Sequence, residues 1–145
     1  MSSSLGPEEL ARWEAWKRSS DAVIERVRRE VRTATGLSNA DFGVLKIVAA
    51  AGGTVRQQAL CDGLEWTQSR TSNHLSRMER RGLVVRETLE GGGVEITATA
   101  RGAELIGRAV PVHAAAVREH LLERLDDTAH GAIAELAADL TTSPG

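Results

Sequence analysis

Tyrosine is absent from the chain, and Trp13, Trp16, Trp66 and Phe42 are its only aromatic residues. So thin a supply argues against modules that stack single-stranded bases on exposed rings. Cys61 is the only cysteine, which excludes an intrachain disulfide framework and a multi-cysteine zinc site. Positive charge is not in excess: 18 Lys and Arg face 20 Asp and Glu, so any nucleic-acid role must rest on a local basic face. Long hydrophobic runs are missing too. The most apolar stretch, residues 43–51, is interrupted by Lys46 and falls far short of the ~18 residues of a membrane span. Residues 1–10 contain neither a basic segment nor an apolar run, so no leader or anchor is expected and a cytoplasmic location is. Catalytic signatures are equally lacking. There is no Ser-His-Asp order around a nucleophile elbow, no phosphate-binding glycine loop and no HExxH, so neither an enzyme nor a cofactor is expected. His113 and His120 are two helical turns apart, ~10 Å along the axis, too far to share one ion within a chain, and no metal site is expected.

What is present is mostly helical pattern. At 145 residues the chain has room for one domain, or one domain with a helical appendage. Pro7, Glu8 and Glu9 suit a helix opening, and Leu10, Trp13, Trp16, Val23, Val27 and Val31 recur at helical spacing to about Ala34. Gly36 stops this helix. Leu37, Ser38 and Asp41 then read as staple, cap and capping-box partner of a second helix, with Phe42, Leu45 and Val48 inward and Gly52-Gly53 at its end. Thr54 is predicted to cap a short third helix with Val55, Ala59, Leu60 and Leu64 inward, broken at Gly63. Thr67 begins a fourth, closed by Gly82. Residues 83–89 and 94–96 alternate around Glu90-Gly91-Gly92-Gly93, the pattern of a hairpin. Thr99 caps a long fifth helix, expected to bend at Pro111, and Asp126 a last one striped by Ala129, Ile133, Leu136 and Leu140. The tail, residues 141–145, is expected to fray. No internal repeat is visible.

Short helices followed by a polar-faced helix and a hairpin follow the order of a winged helix-turn-helix. With Thr71, Leu75 and Met78 inward, the fourth helix turns Gln68, Ser69, Arg70, Ser72, Asn73, Ser76 and Arg77 outward. These residue types suit base edges: Gln and Asn pair with adenine, Arg with guanine, and Ser with bases or phosphate. Arg70, Arg77, Arg80, Arg81 and Arg86 stand against Glu79 alone, so this segment is basic within a net-negative chain. Composition by itself leaves a plain solvated face equally open.

The runs Phe42-Gly43-Val44-Leu45, Trp66-Thr67-Gln68-Ser69-Arg70-Thr71-Ser72, Leu75-Ser76-Arg77-Met78-Glu79-Arg80-Arg81-Gly82-Leu83-Val84 and Thr99-Ala100-Arg101-Gly102 resemble successive signatures of the multiple-antibiotic-resistance regulator (MarR) family in order and spacing. The resemblance covers about residues 8–140. It implies a mostly α (α+β) fold, with residues 8–36 and 99–140 as a helical dimerisation region and 37–98 as a winged DNA-binding lobe. It also implies a homodimeric repressor that reads a near-palindromic operator in double-stranded DNA, released by a small lipophilic or phenolic effector or by thiol oxidation. The family wing carries an Asp-x-Arg whose arginine enters the minor groove. Here the turn is Glu90 and three glycines, without a base, so binding is expected to lean on the major groove, with Arg86 at the hairpin base as a phosphate contact.

Several residues admit two readings. Cys61 is either a packed side chain beside Leu60 and Leu64 or a redox sensor, which would need an exposed, activated thiolate. Trp13 and Trp16 belong either to the dimer core or to the aromatic wall of an effector pocket. Trp66 either packs back to set the angle of the fourth helix or touches a DNA sugar. The alternative to a regulator is a winged protein-interaction module that has lost DNA binding, suggested by the acidic balance and the bare wing.

Overall fold

The computed structural model describes residues 3–142. Helix α1 (Pro7–Thr35) opens on Pro7, which has no amide hydrogen to leave unsatisfied, and on Glu8 and Glu9 at the positive end of the helix dipole. Ser38 and Asp41 then start α2 (Asn39–Ala50) reciprocally. Ser38 Oγ accepts from the Asp41 amide at 3.1 Å, and Asp41 Oδ2 accepts from the Ser38 amide at 2.9 Å.

The chain departs from expectation after Gly53. Thr54 caps no helix; Thr54–Arg56 is a strand, β1, and α3 (Gln57–Leu64) begins only after it. Two consecutive β-branched residues favour extended backbone, and the ladder to a distant strand satisfies it. Thr54 spends its hydroxyl across that ladder, 3.1 Å from Thr97 Oγ1, and Val55 packs on the core. Nor does Gly63 break the chain. It lies inside α3, where an added Cβ would come within 2.9 Å of Ile47 Cδ1, so its role is close packing against α2. The helix instead closes at Glu65, a left-handed residue with φ 55°.

Helix α4 (Gln68–Arg80) is capped by Thr67, whose Oγ1 accepts from the Arg70 amide at 3.1 Å. Strands β2 (Val84–Thr88) and β3 (Val94–Ala98) follow, joined through Glu90-Gly91-Gly92-Gly93. The expected two-stranded hairpin is part of a three-stranded antiparallel sheet in the order β1-β3-β2. Helix α5 (Ala100–Val117) is capped by Thr99, which accepts from the Gly102 amide at 3.0 Å. Gly102 has no room for a side chain, because a Cβ would overlap the Leu83 carbonyl. The helix runs on through Pro111 and widens into one π-helical turn, Arg118–Leu122. Helix α6 (Asp127–Thr142) starts from an Asp126 cap, Ala129 N to Asp126 Oδ1 at 2.8 Å.

Two compact units result. Glu30–Val112 forms the winged lobe, around fully buried Leu37, Leu45, Leu60, Leu75, Met78 and Ile96. Val31, Leu105, Ile106 and Ala109 join that core. The other unit falls within residues 1–29 and 113–145 and is helical. In it Trp13, Trp16, Ile24, Ile133, Leu136 and Leu140 are exposed.

Candidate nucleic-acid interface

The placement of α4 begins with its buried face. Thr71, Leu75 and Met78 point inward as their spacing requires, and His74 is buried with them. Thr71 bonds back to the Thr67 carbonyl at 2.9 Å and accepts from the Cys61 thiol at 3.2 Å, tying α4 to α3. Cys61 is therefore buried and hydrogen-bonded, as the packing reading has it.

Asp41 makes the second tie. Its side chain is 1% exposed, and three donors meet it: His74 Nε2 at 2.9 Å on Oδ1, with Arg81 Nη1 at 2.8 Å and the Ser38 amide at 2.9 Å on Oδ2. One carboxylate thus fixes the N-terminus of α2 to the middle and the end of α4. Burial pushes this carboxyl up, but the hydrogen bonds from Arg81 and Ser38 and the charge of Arg81 outweigh it and hold Asp41 below its ordinary value of 3.8. For His74, burial disfavours the charged ring, and repulsion from Arg77 and Arg81 adds to it. Together these exceed the attraction of Asp41 and keep His74 below 6.5. The neutral ring donates from Nε2 to Asp41 and presents Nδ1 to Arg77 Nη2 at 3.2 Å.

Arg86 makes the third. From β2 its guanidinium reaches the Ser72 carbonyl (3.3 Å), Ser76 Oγ (2.7 Å) and Glu79 Oε1 (3.3 Å), while its own amide donates to Glu79 Oε2 at 3.0 Å. The side chain is 24% exposed. Arg86 therefore braces the wing strand against α4 with donors that the sequence assigned to phosphate.

These ties sort the expected reading face. Ser72 and Ser76 are half-buried, and both hydroxyls lie within reach of Arg86. Gln68 is exposed but bonded to the side chains of Gln57 and Gln58 on α3. Ser69, Arg70, Asn73 and Arg77 remain exposed along one side of α4. Arg70 lies with its guanidinium 4.2 Å from the centroid of the Trp66 ring, an arrangement that limits its rotamers. Trp66 itself packs on the core and meets His74 edge-on at 5.6 Å, the contact that the first of its two readings requires. The wing turn is bare: Gly91, Gly92 and Gly93 all take positive φ (84°, 102° and 91°), and Glu90 is exposed.

The helical unit holds a groove of about 460 Å³ with apolar walls, lined by Trp16, Val23, Ile24, Leu121, Leu125 and Ile133 among others. Trp13 does not line it; Lys17 Nζ lies 5.3 Å from its ring centroid. Among the described residues no helix is long and apolar enough to cross a membrane.

A fold of helices, a polar-faced fourth helix and a three-stranded winged sheet defines the winged helix-turn-helix class. The solved structures it matches narrow this. AbsC, a MarR family transcriptional regulator from Streptomyces coelicolor, is 22% identical and superposes with a TM-score of 0.83 over 97% of this chain and 96% of that one. A second MarR family regulator from the same organism, solved in complex with DNA, is 23% identical with a TM-score of 0.82, covering 99% and 94%. CouR from Rhodococcus jostii, bound to p-coumaroyl-CoA, is 22% identical with a TM-score of 0.68, covering 89% and 90%. The chain therefore has the MarR-type winged-helix fold. A family model for a domain of unknown function, DUF7343, matches residues 29–90. No curated protein matches the sequence.

Proposed function

We propose that this chain is a homodimeric transcription regulator that binds duplex DNA through α4, and that it represses where its operator overlaps a promoter. The observation that carries this reading is the row Ser69, Arg70, Asn73 and Arg77, exposed on a helix held from behind by Asp41, Arg86 and Thr71. A rigid helix with exposed amide and guanidinium groups, here with Arg70 held against the Trp66 ring and Arg77 against His74, is what major-groove readout needs. The similar structure solved with DNA supports it. Exposed Trp13, Ile133, Leu136 and Leu140 favour a second copy as the cover of the helical unit. The groove beside Trp16, with its apolar walls, suits a small lipophilic effector.

The test is affinity for a duplex selected by the wild-type protein. Arg70→Ala and Asn73→Ala should each weaken binding by about 1–3 kcal/mol and relax sequence preference, while Ser72→Ala, whose hydroxyl is already turned to Arg86, should change preference little. Unchanged affinity and preference in both of the first two variants would remove α4 as the reading element.

A further inference from the structure

The wing turn carries no cation, yet the sheet brings one to it. Strand β1 lies beside β3 in antiparallel register, with Arg56 opposite Glu95. From there the Arg56 side chain runs outward past the end of its own strand to the turn: a Cβ added at Gly93 would lie 3.1 Å from Arg56 Nη1. Glycine at this position both adopts the positive φ of 91° and leaves the space beside the backbone that the guanidinium enters. Arg56 is exposed and, among the described residues, its side chain forms no hydrogen bond or ion pair, not even with the side chain of Glu95 across the ladder. In this it differs from Arg86, whose donors are spent on α4.

Its neighbours in sequence tie it to the reading helix. Gln57, the next residue, donates to Gln68 Oε1 at 3.4 Å, and Gln58 bonds Gln68 as well, so the end of β1 adjoins the first turn of α4. Arg56 therefore stands between the wing turn and the residues that touch the start of the reading helix, with a guanidinium that has no partner among the described residues. Given the reading of α4 proposed above, on which this inference rests, we infer that Arg56 contacts the phosphate backbone of bound duplex DNA beside the wing turn. Such a contact adds affinity without sequence preference and releases counterions.

The test is a salt titration of binding to a selected duplex and to a scrambled duplex, with wild type, Arg56→Ala, Arg56→Lys and Arg56→Glu, and Arg70→Ala as reference. Arg56→Ala should weaken binding to both duplexes by about 3- to 10-fold near physiological salt and lower the salt slope by about 1. Arg56→Glu should weaken both further, and Arg56→Lys should keep the slope. Thermal midpoints of the three Arg56 variants should match wild type, since the side chain has no partner to lose. If Arg70→Ala weakens binding while Arg56→Ala and Arg56→Glu leave affinity and slope unchanged, the assignment of Arg56 fails and the reading of α4 stands. A loss confined to the selected duplex also overturns it, since Arg56 would then read sequence. A wild-type protein that binds neither duplex overturns both.

Discussion

Asp41 shows how one side chain sets the geometry of a surface that it never reaches. Removing a buried, multiply bonded carboxylate strands His74 and half-exposed Arg81, so Asp41→Ala should cost on the order of 3 kcal/mol of stability, against roughly 1 for Arg81→Ala, whose side chain is 46% exposed. Both depressed pKa values have the same consequence. The unfolded chain takes up a proton at His74 near 6.5 that the fold excludes, so the stability from the neutral ring is full above pH 6.5 and falls as pH drops below it. The share of Asp41 is full above 3.8 and is lost as pH falls through its lower folded value. Denaturant unfolding between pH 8 and pH 4 should therefore be level at the alkaline end and decline below pH 6.5. In His74→Gln, where an amide can still donate to Asp41, the first part of that decline should vanish; a slope unchanged by this substitution would locate the titration elsewhere. At this scale the sequence was only partly legible. The 3.6 period gave Thr71, Leu75 and Met78, and Ser38 with Asp41 gave the cap. His74 was passed over because a polar type on the inner face is explained only by Asp41, 33 positions earlier.

Elements reproduce this pattern: those encoded by local signals are legible in the sequence, and those completed by distant pairing are not. Caps at Ser38, Thr67, Thr99 and Asp126 and the positive-φ stop at Gly82 all occur where the residues signal them. Strand β1 was missed because three residues carry no period, and their extended state depends on β3, some forty positions on. The position of Arg56 beside the wing depends on the same pairing. Arg86 lies at the hairpin base, as its position in sequence signals, but its partners Ser72 and Ser76 are legible only once the packed sheet brings it under them. As a brace it carries a different signature from a surface phosphate contact. Arg86→Ala should lower stability by about 1–2 kcal/mol as well as weakening DNA binding, because it leaves the side chain of Glu79 and two serine groups without their donor. A variant of wild-type stability by calorimetry that binds DNA poorly would return Arg86 to the phosphate role.

The whole molecule is two units with different needs. The winged lobe closes its own core, whereas the helical unit leaves Trp13, Trp16, Ile133, Leu136 and Leu140 exposed. In the dimer proposed above a second copy would cover them and pair two α4 helices by symmetry, and two identical helices on one face of a duplex require half-sites about one helical turn, ~10 bp, apart. The claim that joins dimer, helix and DNA is tested most directly by selecting bound duplexes from a random pool with the wild-type protein and with an Arg70→Ala, Asn73→Ala double variant. The account predicts that the wild type enriches inverted half-sites centred ~10 bp apart and that the double variant loses the enriched bases while keeping salt-sensitive, nonspecific binding. Enrichment of an asymmetric single site, or of the same sequence by both proteins, would contradict it.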